Sequence, residues 1–418
     1  MIQIKPYIEH TSYCPDCNFR MDNKHILWQG IHVCSVTFCH LCGKEYIEDL
    51  RTGHATYFPF RLEVATQTLI GPEKARKWLG EPFKKSILNP SHEFEVKMEV
   101  TKMKDFKKVI VMNCIDYLYG HSLLKLLNAQ RENEENEKMG IIVIITKAFE
   151  WMIPDFISEV WCVNIPFHKA RNYYPQLHDL IHKELERFDE VYLSRAYSHP
   201  SQFDIEVFTS VKRYHRDRVK HPKITFIWRE DRLWIANFYI SKLLHKYPEF
   251  KTYFIPFIYF QKWKVTFLFR KLKKHFPNHE FAVSGIGVTG RFPGWVKDGR
   301  TSSYTREMEH HSCKTYSESE LVIGVHGSNM LLPSAHAGMT LNLIPKDRWG
   351  NFAQDILFQK CNEKVNIYLH RLIPIETRIS VLTKIINNQI NGLDHYIMQM
   401  TEDIVNSSIY PKKMGGNA

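Results

Sequence analysis

The chain has 418 residues, which is longer than a domain with a single hydrophobic core usually is. This length predicts about two to three domains. Lys and Arg number 56 against 45 Asp and Glu, giving a formal net charge of +11. The excess favours an acidic partner, namely a nucleotide phosphate, a nucleic acid or an anionic membrane, without choosing among them. No apolar run reaches the length of a spanning helix and the N-terminus lacks the order of a signal peptide. We therefore expect a cytoplasmic protein, with peripheral contact to the inner membrane face as an open alternative.

Two C-x-x-C pairs near the N-terminus, Cys14/Cys17 and Cys39/Cys42, are separated by 21 residues. Each pair turns tightly enough to place both sulfurs on one tetrahedral ion, so the spacing predicts a four-thiolate zinc ribbon. The sequence has nine cysteines, an odd number that is awkward for a disulfide framework. Closed sites of this kind normally hold a fold together, so the predicted role of zinc is structural, while nucleic-acid binding by the ribbon stays open.

Strands and helices alternate from residue 107 onward, which predicts parallel sheets with helices on their faces. The predicted strands are 107–113, 141–146, 160–165, 190–194, one that opens at Ile224, 280–284, 321–325 and 340–344. The predicted helices are 120–130, 174–188, 263–275, one that starts near Leu331, 351–361 and 371–404, with a charged loop at 131–139.

The predicted fold class is α/β, with two tandem Rossmann-like domains after an N-terminal zinc-ribbon module. The predicted boundaries are a zinc ribbon at 1–55, a connector at 56–106, an N-terminal Rossmann-like acceptor domain at 107–215, a C-terminal Rossmann-like donor-binding domain at 216–370, and C-terminal helices and tail at 371–418. Tandem domains of this kind form a cleft where a small-molecule site is expected.

The His-Gly-Ser-Asn turn at 326–329 lies between two buried apolar runs, 321–325 and 340–344. It therefore falls at the carboxyl end of a strand, where open α/β sheets bind ligands. Gly327 lets the backbone approach a ligand, and Ser328 and Asn329 can cap the following helix and aim N–H groups at an anion. The turn is a candidate phosphate site, although any α/β protein contains turns of this composition.

Two arginines just past another strand end, Arg229 and Arg232, are suited to bidentate contact with a diphosphate. The sequence contains no P-loop motif, and Gly285–Gly290 matches a dinucleotide fingerprint only loosely because Pro293 prevents a helix from following at once. An Asp-x-Asp motif is also lacking, which disfavours a metal-bridged nucleotide sugar. These features favour a phosphorylated ligand bound without a metal.

The aromatic and basic run 253–275 has two interpretations. It can lie on a membrane surface, or it can be a helix that covers a sheet and exposes its lysine-rich end. We favour the second interpretation.

Several short motifs occur in the order of a known family. They are Tyr119-Gly-His121 before a Leu-rich helix, Phe226–Arg232 with its Arg-x-x-Arg, Glu307, and Val322–Asn329. This order resembles the two-domain, metal-independent glycosyltransferases of the GT-B architecture, and among them the xylosyl- and N-acetylglucosaminyltransferases of glycosyltransferase family 61. Lys125 departs from that pattern, which often has an acidic residue there, and Ser328-Asn329 replaces Ala-Gly.

The resemblance implies that a sugar is transferred from a nucleotide-diphosphate donor to a glycan or lipid-linked acceptor. The diphosphate would be held by Arg229, Arg232 and the turn formed by His326, Gly327, Ser328 and Asn329, and Glu307 would lie near the donor's ribose or sugar hydroxyls. His326 would stabilise the leaving group.

The resemblance also calls for a base from the first domain, which would deprotonate the acceptor hydroxyl. His121 is the first candidate because its pKa lies near working pH and it begins a helix at a strand end, with a capping or packing role as the alternative. Asp116 and His199 are reserve candidates, and His336 is interpreted as a packed helix residue.

The predicted protein is a glycosyltransferase of a surface polysaccharide or lipid-linked glycan, with structural zinc as its cofactor. Two alternatives stay open: transfer of another group, such as pyruvyl, on the same architecture, and a zinc-ribbon nucleic-acid-binding protein. The second is disfavoured because the basic residues are spread along the chain and form no compact arginine-aromatic stripe.

Overall fold

The computed structural model describes residues 1–197, 203–235, 254–303, 305–351, 356–359 and 361–400. The chain divides into two compact units, the first covering Met1–Phe203 and the second starting at Asp204.

The first unit contains an antiparallel sheet and a mostly parallel one. Its strands are β1 (Ile2–Lys5), β2 (Ser12–Tyr13), β3 (Arg20–Gln29), β4 (His32–Phe38), β5 (Glu45–Asp49), β6 (Arg61–Glu63), β7 (Leu69–Ile70), β8 (Met98–Lys102), β9 (Lys108–Asn113), β10 (Gly140–Thr146), β11 (Glu159–Val163) and β12 (Glu190–Leu193). Its helices are α1 (Glu73–Ala75), α2 (Glu81–Leu88), α3 (Tyr119–Leu127), α4 (Ala129–Glu135) and α5 (Pro175–Leu185), with a π-helical segment at Arg76–Gly80 and 3₁₀ turns at Gly53–Thr56, Lys147–Met152 and Phe167–Lys169.

The parallel part of the first unit has the order β12-β9-β10-β11, with β1 and β8 added antiparallel at its two edges. Strands β9 and β10 are near-continuous apolar runs, as expected for parallel strands buried on both faces. The chain order reverses between β9 and β12, so the carboxyl ends of these two strands flank the point where open α/β sheets bind ligands.

The antiparallel sheet has the order β2-β3-β4-β5-β6-β7, and its β3–β4 hairpin packs on the parallel sheet. Trp28 and Ile31 share a core with Val109 of β9. At the hairpin tip, Asn113 Nδ2 donates to the carbonyl oxygen of Gly30 at 2.8 Å. Gly30 has φ +59°, and a Cβ there would lie 2.3 Å from a backbone oxygen, so only glycine fits this contact.

The second unit is built around one parallel sheet. Its strands are β13 (Lys223–Arg229), β14 (Glu280–Ile286), β15 (Val296–Thr301), β16 (Ser319–Val325), β17 (Met339–Ile344) and β18 (His370–Pro374). Its described helices are α6 (Ile205–Thr209), α7 (Ile255–His275), α8 (Arg306–Ser317), α9 (Leu331–His336), α10 (Glu363–Leu369), α11 (Ile379–Asn391) and α12 (Leu393–Met400), with 3₁₀ turns at Ser328–Met330 and Lys346–Asn351.

The strands of this sheet lie in the order β15-β14-β13-β16-β17-β18, all parallel. Counted along the chain this is 3-2-1-4-5-6, the order of classical doubly wound sheets. Alternate residues of β16, such as Leu321 and Ile323, face a core shared with α7, α10, α11 and α12. The order reverses between β13 and β16, which places the ends of these two strands at the expected ligand-binding edge.

The eight strands predicted from 107 onward are confirmed, each with end points within a few residues of the prediction. Three predictions are wrong or incomplete. Helix α4 occupies part of the predicted charged loop 131–139, and the predicted helix 371–404 begins instead as β18, because residues 370–374 pair with β17. Residues 356–359 of the predicted helix 351–361 are not helical, and 352–355 and 360 lie outside the described residues.

Residues 56–106, predicted as a connector, supply β6 and β7 to the antiparallel sheet and β8 to the parallel sheet. None of the described helices has the length and apolar composition needed to cross a bilayer.

Candidate functional site

A buried carboxylate, Asp116, lies at the reversal point of the first unit. It follows the end of β9 by three residues. His54 reaches it from the 3₁₀ turn Gly53–Thr56, which is fixed beside the end of β12 because Gly53 N–H donates to the carbonyl oxygen of Arg195 at 2.8 Å. Two distant parts of the chain therefore meet at this strand edge.

Three basic side chains contact Asp116: His54, His121 and Lys125. We call these four residues the Asp116 cluster. His54 Nε2 lies 2.7 Å from Oδ2, and Lys125 Nζ lies 3.0 Å from the same oxygen. His121 Nδ1, on the first turn of α3, lies 3.3 Å from Oδ1. His54, Asp116 and Lys125 are buried, whereas the His121 side chain is 23% exposed.

The charges in this cluster follow from burial and pairing. Burial lowers the pKa of His54 to about 4, so this ring is neutral at pH 7. Burial raises the pKa of Asp116, but the Lys125 ammonium and His54 outweigh it and hold that pKa well below the ordinary carboxyl value. The carboxylate is therefore ionised, and Lys125 is fixed further by donating to the Ile115 carbonyl at 2.8 Å.

The arrangement leaves His121 as the exposed member of an Asp–His pair. Asp116 Oδ1 faces Nδ1 at 3.3 Å, so Nε2 is the ring nitrogen on the side away from the carboxylate. Aromatic rings surround His54 and His121, with Tyr197 at centroid distances of 4.8 Å and 5.8 Å respectively. Asp116 is fully buried and faces His54, His121 and Lys125, and its predicted use as a reserve base stays a prediction.

The ligand atoms of His54, Asp116 and His121 also lie within 4.8 Å of one another, a spacing compatible with a metal ion. The Lys125 ammonium already forms an ion pair with the Asp116 carboxylate at 3.0 Å, and its positive charge would repel a metal cation there. We therefore interpret this group as a hydrogen-bonded acid–base cluster.

Sequence reasoning missed His54, because nothing in its spacing connects it with Asp116. Lys125 was recognised only as a departure from a family pattern, and its pairing explains the departure: it compensates a carboxylate placed at 116. The reserve base His199 lies outside the described residues.

The predicted phosphate turn lies at the reversal point of the second unit. It starts directly after β16, and Arg232, just past the end of β13, reaches across to it. The guanidinium Nη1 of Arg232 lies 3.4 Å from Asn329 Oδ1. A Cβ on Gly327 would lie 1.5 Å from the same Nη1, so a larger residue would push the flexible Arg232 side chain away from the turn, and the φ of 154° also favours glycine.

The prediction that Ser328 and Asn329 cap the helix is wrong. A 3₁₀ turn, Ser328–Met330, precedes α9, and neither element has a side-chain cap. The Asn329 amide instead donates back to the Val325 carbonyl at 3.3 Å while its oxygen faces Arg232. The start of α9 at Leu331 agrees with the prediction.

His326 is fully buried, and its Nε2 lies 3.0 Å from the carbonyl oxygen of Asn351. A carbonyl accepts, so this nitrogen carries the proton. The ring thus binds a backbone carbonyl of the 3₁₀ turn Lys346–Asn351, 25 residues further along the chain, and its predicted role in stabilising the leaving group stays a prediction. His336 is also buried, with Nε2 3.2 Å from Thr209 Oγ1, in agreement with a packing role.

The other predicted donor-binding residues are placed differently. Arg229 makes a two-pronged ion pair with Asp231, with distances of 2.7 Å and 2.6 Å. Glu307 is exposed in the first turn of α8, and among the described residues no hydrogen bond or ion pair joins it to Arg232 or the turn. The structure therefore brings Arg232 and the turn together but leaves Glu307 apart.

The glycine-rich loop Gly285–Gly290 is packed on a carboxylate. Glu230 is buried, and its Oε1 accepts the Thr289 N–H at 2.8 Å. A Cβ on Gly287 would lie 2.3 Å from the Glu230 carboxyl group. A carboxylate here occupies the place that a phosphate takes in a dinucleotide fingerprint, which agrees with the loose sequence match.

The four cysteines of the two C-x-x-C pairs converge. Cys14 and Cys42 have sulfurs 3.5 Å apart, as do Cys17 and Cys39, and all four sulfurs lie within 4.8 Å of one another. The residue after each pair is left-handed, Asn18 at φ 56° and Gly43 at φ 71°, and its N–H donates to the carbonyl of the pair's first cysteine. This cluster can hold a tetrahedral metal ion.

No family model matches the chain, and no curated protein matches it. Among solved structures, the dodecameric iron-containing heptosyltransferase TibC in complex with ADP-D-β-D-heptose is 11% identical, with a TM-score of 0.30, over 72% of this chain and 78% of that one. TibC from enterotoxigenic E. coli H10407 is also 11% identical with a TM-score of 0.30, over 93% of this chain and 97% of that one. The Glycosylation Associate Protein (Gap123) complex from Streptococcus agalactiae is 11% identical with a TM-score of 0.28, over 95% of this chain and 79% of that one. TM-scores of this size do not establish a common fold, so function is argued from the residues.

Proposed function

We propose that the protein is a glycosyltransferase that moves a sugar from a nucleoside-diphosphate donor to a hydroxyl of a glycan or lipid-linked acceptor. The observation that carries the proposal is the turn 326–329 with the Arg232 guanidinium over Gly327, at the strand-order reversal of a doubly wound sheet. This is the position at which such sheets bind phosphorylated ligands. The motif order that resembles family 61 supports the sugar nucleotide over other phosphorylated ligands.

In the second unit, Arg232 would bind the diphosphate and stabilise the charge that develops on it when the bond to the sugar breaks. Arg229 would also bind the diphosphate, after its ion pair with Asp231 is replaced by one with a phosphate oxygen. Asp231 is 52% exposed, and ion pairs of this kind contribute little, about 0–1 kcal/mol, so a diphosphate can displace it. No metal is needed to neutralise the leaving group in this scheme.

In the first unit, His121 would accept the proton of the acceptor hydroxyl at Nε2. Asp116 would orient the ring and stabilise the imidazolium that forms, as a carboxylate does in other Asp–His pairs. His54 and Lys125 would hold Asp116 ionised. Zinc bound by the four cysteines would be structural in this proposal.

The donor half of the proposal is tested by thermal unfolding with UDP, GDP, ADP and CMP. A ligand that binds only the folded state raises its stability by about 2.7 kcal/mol at one hundred times its dissociation constant. We expect one nucleoside diphosphate to raise Tm in the wild type, and this shift to be lost in Arg232→Ala and Gly327→Ala. Arg216→Ala is the control, because Arg216 pairs with Asp394 on α12.

An unchanged Tm with every nucleotide would contradict the donor assignment, as would an equal shift in Arg232→Ala. The acceptor half is tested separately by release of the nucleoside diphosphate from the matching nucleotide sugar. His121→Gln should keep the Tm shift and lose roughly 10²-fold or more of the release rate. Retention of the wild-type rate and pH profile in this variant would refute His121 as the base.

A further inference from the structure

The charged side chains of helix α7 are all basic. Its 21 residues contain no Asp or Glu. Six of them are basic: Lys262, Lys264, Arg270, Lys271, Lys273 and Lys274. A helix that only covered a sheet would not need an exclusively basic composition.

One face of α7 is explained by packing. Ile258, Val265, Leu268, Phe269 and Leu272 are buried in the core of the second unit. This part of α7 confirms the sequence-based expectation of a sheet-covering helix.

The opposite side carries an exposed aromatic stripe, formed by Phe260, Trp263 and Phe267. Their exposed fractions are 48%, 56% and 36%. The spacing of three and four residues places them on one side of the helix. Neighbouring rings stack, with centroids 5.8 Å and 5.5 Å apart and planes 17° and 5° from parallel. Three contiguous exposed aromatic rings mark an interaction surface.

Lysines flank the stripe. Lys271 Nζ lies 5.1 Å from the Phe267 ring centre. Lys264 donates to the Trp234 carbonyl oxygen at 3.0 Å, so it is not one of the lysines assigned to headgroups. The C-terminal end of α7 leads to Glu280, at the start of β14, where a cavity of about 660 Å³ opens. Six of its thirteen lining residues are Lys or Arg, namely Lys212, Arg218, Lys220, Lys223, Lys297 and Lys314. Two of these are paired, Lys223 with Glu318 and Lys297 with Glu280.

We propose that α7 docks the protein on an anionic lipid surface, with the aromatic stripe at the headgroup level and the lysines on anionic headgroups. Aromatic side chains beside lysines are the composition of helices that lie in a membrane interface. Each Lys or Arg near an anionic surface adds to the attraction.

The ring geometry favours lipid over single-stranded nucleic acid. Nucleic-acid platforms offer ring faces to bases. In the stripe, neighbouring rings are near-parallel with centroids 5.8 Å and 5.5 Å apart, which is too close for a base to insert between them. Insertion among lipid headgroups requires apolar bulk rather than open ring faces. The proposal does not rest on sugar transfer, and each can fail without the other.

The test uses co-sedimentation of the full chain with phosphatidylcholine vesicles, alone or containing phosphatidylglycerol. We expect binding only to the anionic vesicles, reduced by added salt. Replacing Phe260, Trp263 and Phe267 together by Ser should reduce the bound fraction roughly ten-fold or more, because the buried aromatic area is lost. These residues are exposed, so folding should be preserved, which circular dichroism and Tm check.

The matched control replaces three exposed apolar residues of the same unit, Ile367, Val381 and Met398, by Ser. This variant should bind anionic vesicles as the wild type does. Equal sedimentation of the stripe variant and the wild type would overturn the proposal. Equal binding to neutral vesicles, or binding to single-stranded DNA with none to anionic vesicles, would overturn it as well.

Discussion

Lys125 carries a buried positive charge that balances the buried carboxylate of Asp116. It is fully buried and contacts Asp116 Oδ2 at 3.0 Å. We predict that Lys125→Met destabilises the protein by about 3–5 kcal/mol, because a buried carboxylate loses its compensating charge. Urea unfolding at pH 7 measures the effect.

The control for Lys125→Met is Lys297→Met. Lys297 pairs with Glu280 but is 60% exposed, so its loss should cost at most about 1 kcal/mol. If Lys125→Met costs no more than the control, the Asp116 cluster does not hold an ionised carboxylate.

Asn342 presents the opposite case, a buried amide without partners. It is fully buried on β17, and neither its nitrogen nor its oxygen has a hydrogen-bond partner among the residues that the structure describes. Asn342→Leu should therefore leave stability unchanged or raise it, since an unsatisfied polar group is removed.

The matched control is Asn128→Leu. Asn128 is also buried, but its amide donates to the Leu124 carbonyl at 2.7 Å, so its replacement should cost about 1–3 kcal/mol. Opposite signs for the two variants in urea unfolding are expected. A loss of stability in Asn342→Leu as large as in the control would show that the Asn342 amide is satisfied in solution.

Among the elements, the cysteine ribbon makes a prediction about metal content. We expect freshly purified protein to contain about one zinc ion per chain, because four thiolates form a closed tetrahedral site. Cys39→Ser should lose the metal and lower Tm. Cys313→Ser is the control, because Cys313 is buried in the second unit and should leave metal content unchanged. Wild-type protein without bound metal would rule out the ribbon as a zinc site.

How well an element could be predicted depended on its length and burial. The segment from β16 to β17 followed from two long apolar runs that are buried on both faces. Strands β6, β7 and β8 have only two to five residues, and β8 is an edge strand of mixed polarity. Such segments have no periodic signal, because their conformation is set by the neighbouring strand.

Candidate site residues could be predicted where they lie next to a strand or helix that the sequence predicts, and not where they are joined by contacts between distant parts of the chain. His121 and the turn at 326–329 were predicted because they directly follow strands or begin helices. His54 was not, because its contact with Asp116 joins positions 62 residues apart. Glu230 was overlooked for the same reason, since the glycine loop that it holds belongs to another strand.

For the whole molecule, buried histidines set the response to acid. Burial lowers the pKa of His54 to about 4, and of His336 and His370 to about 3, from an ordinary 6.5. Between pH 6.5 and about 4 the unfolded chain therefore binds more protons than the folded chain. Stability should fall as the pH falls through this window, by up to about 1.4 kcal/mol per pH unit for each histidine.

Urea unfolding from pH 7 to pH 4.5 measures this slope, with His370→Leu as the informative variant. Within the described part of the chain, both ring nitrogens of His370 lack hydrogen-bond partners, so the change removes one titrating group without removing a hydrogen bond seen there. The variant should show a shallower slope. An identical slope in wild type and variant would mean that folding does not lower the pKa of His370.

The β3–β4 hairpin joins the two ends of the first unit. Cys17 precedes β3 and Cys39 follows β4, while the tip at Gly30 accepts a hydrogen bond from Asn113, three residues before Asp116. The ten residues of β3 span about 30 Å, so metal removal acts at a distance from the acid–base cluster. Amide hydrogen exchange at 113–116 should therefore speed up when a chelator strips the ribbon, which would make the supply of metal a determinant of the geometry around Asp116.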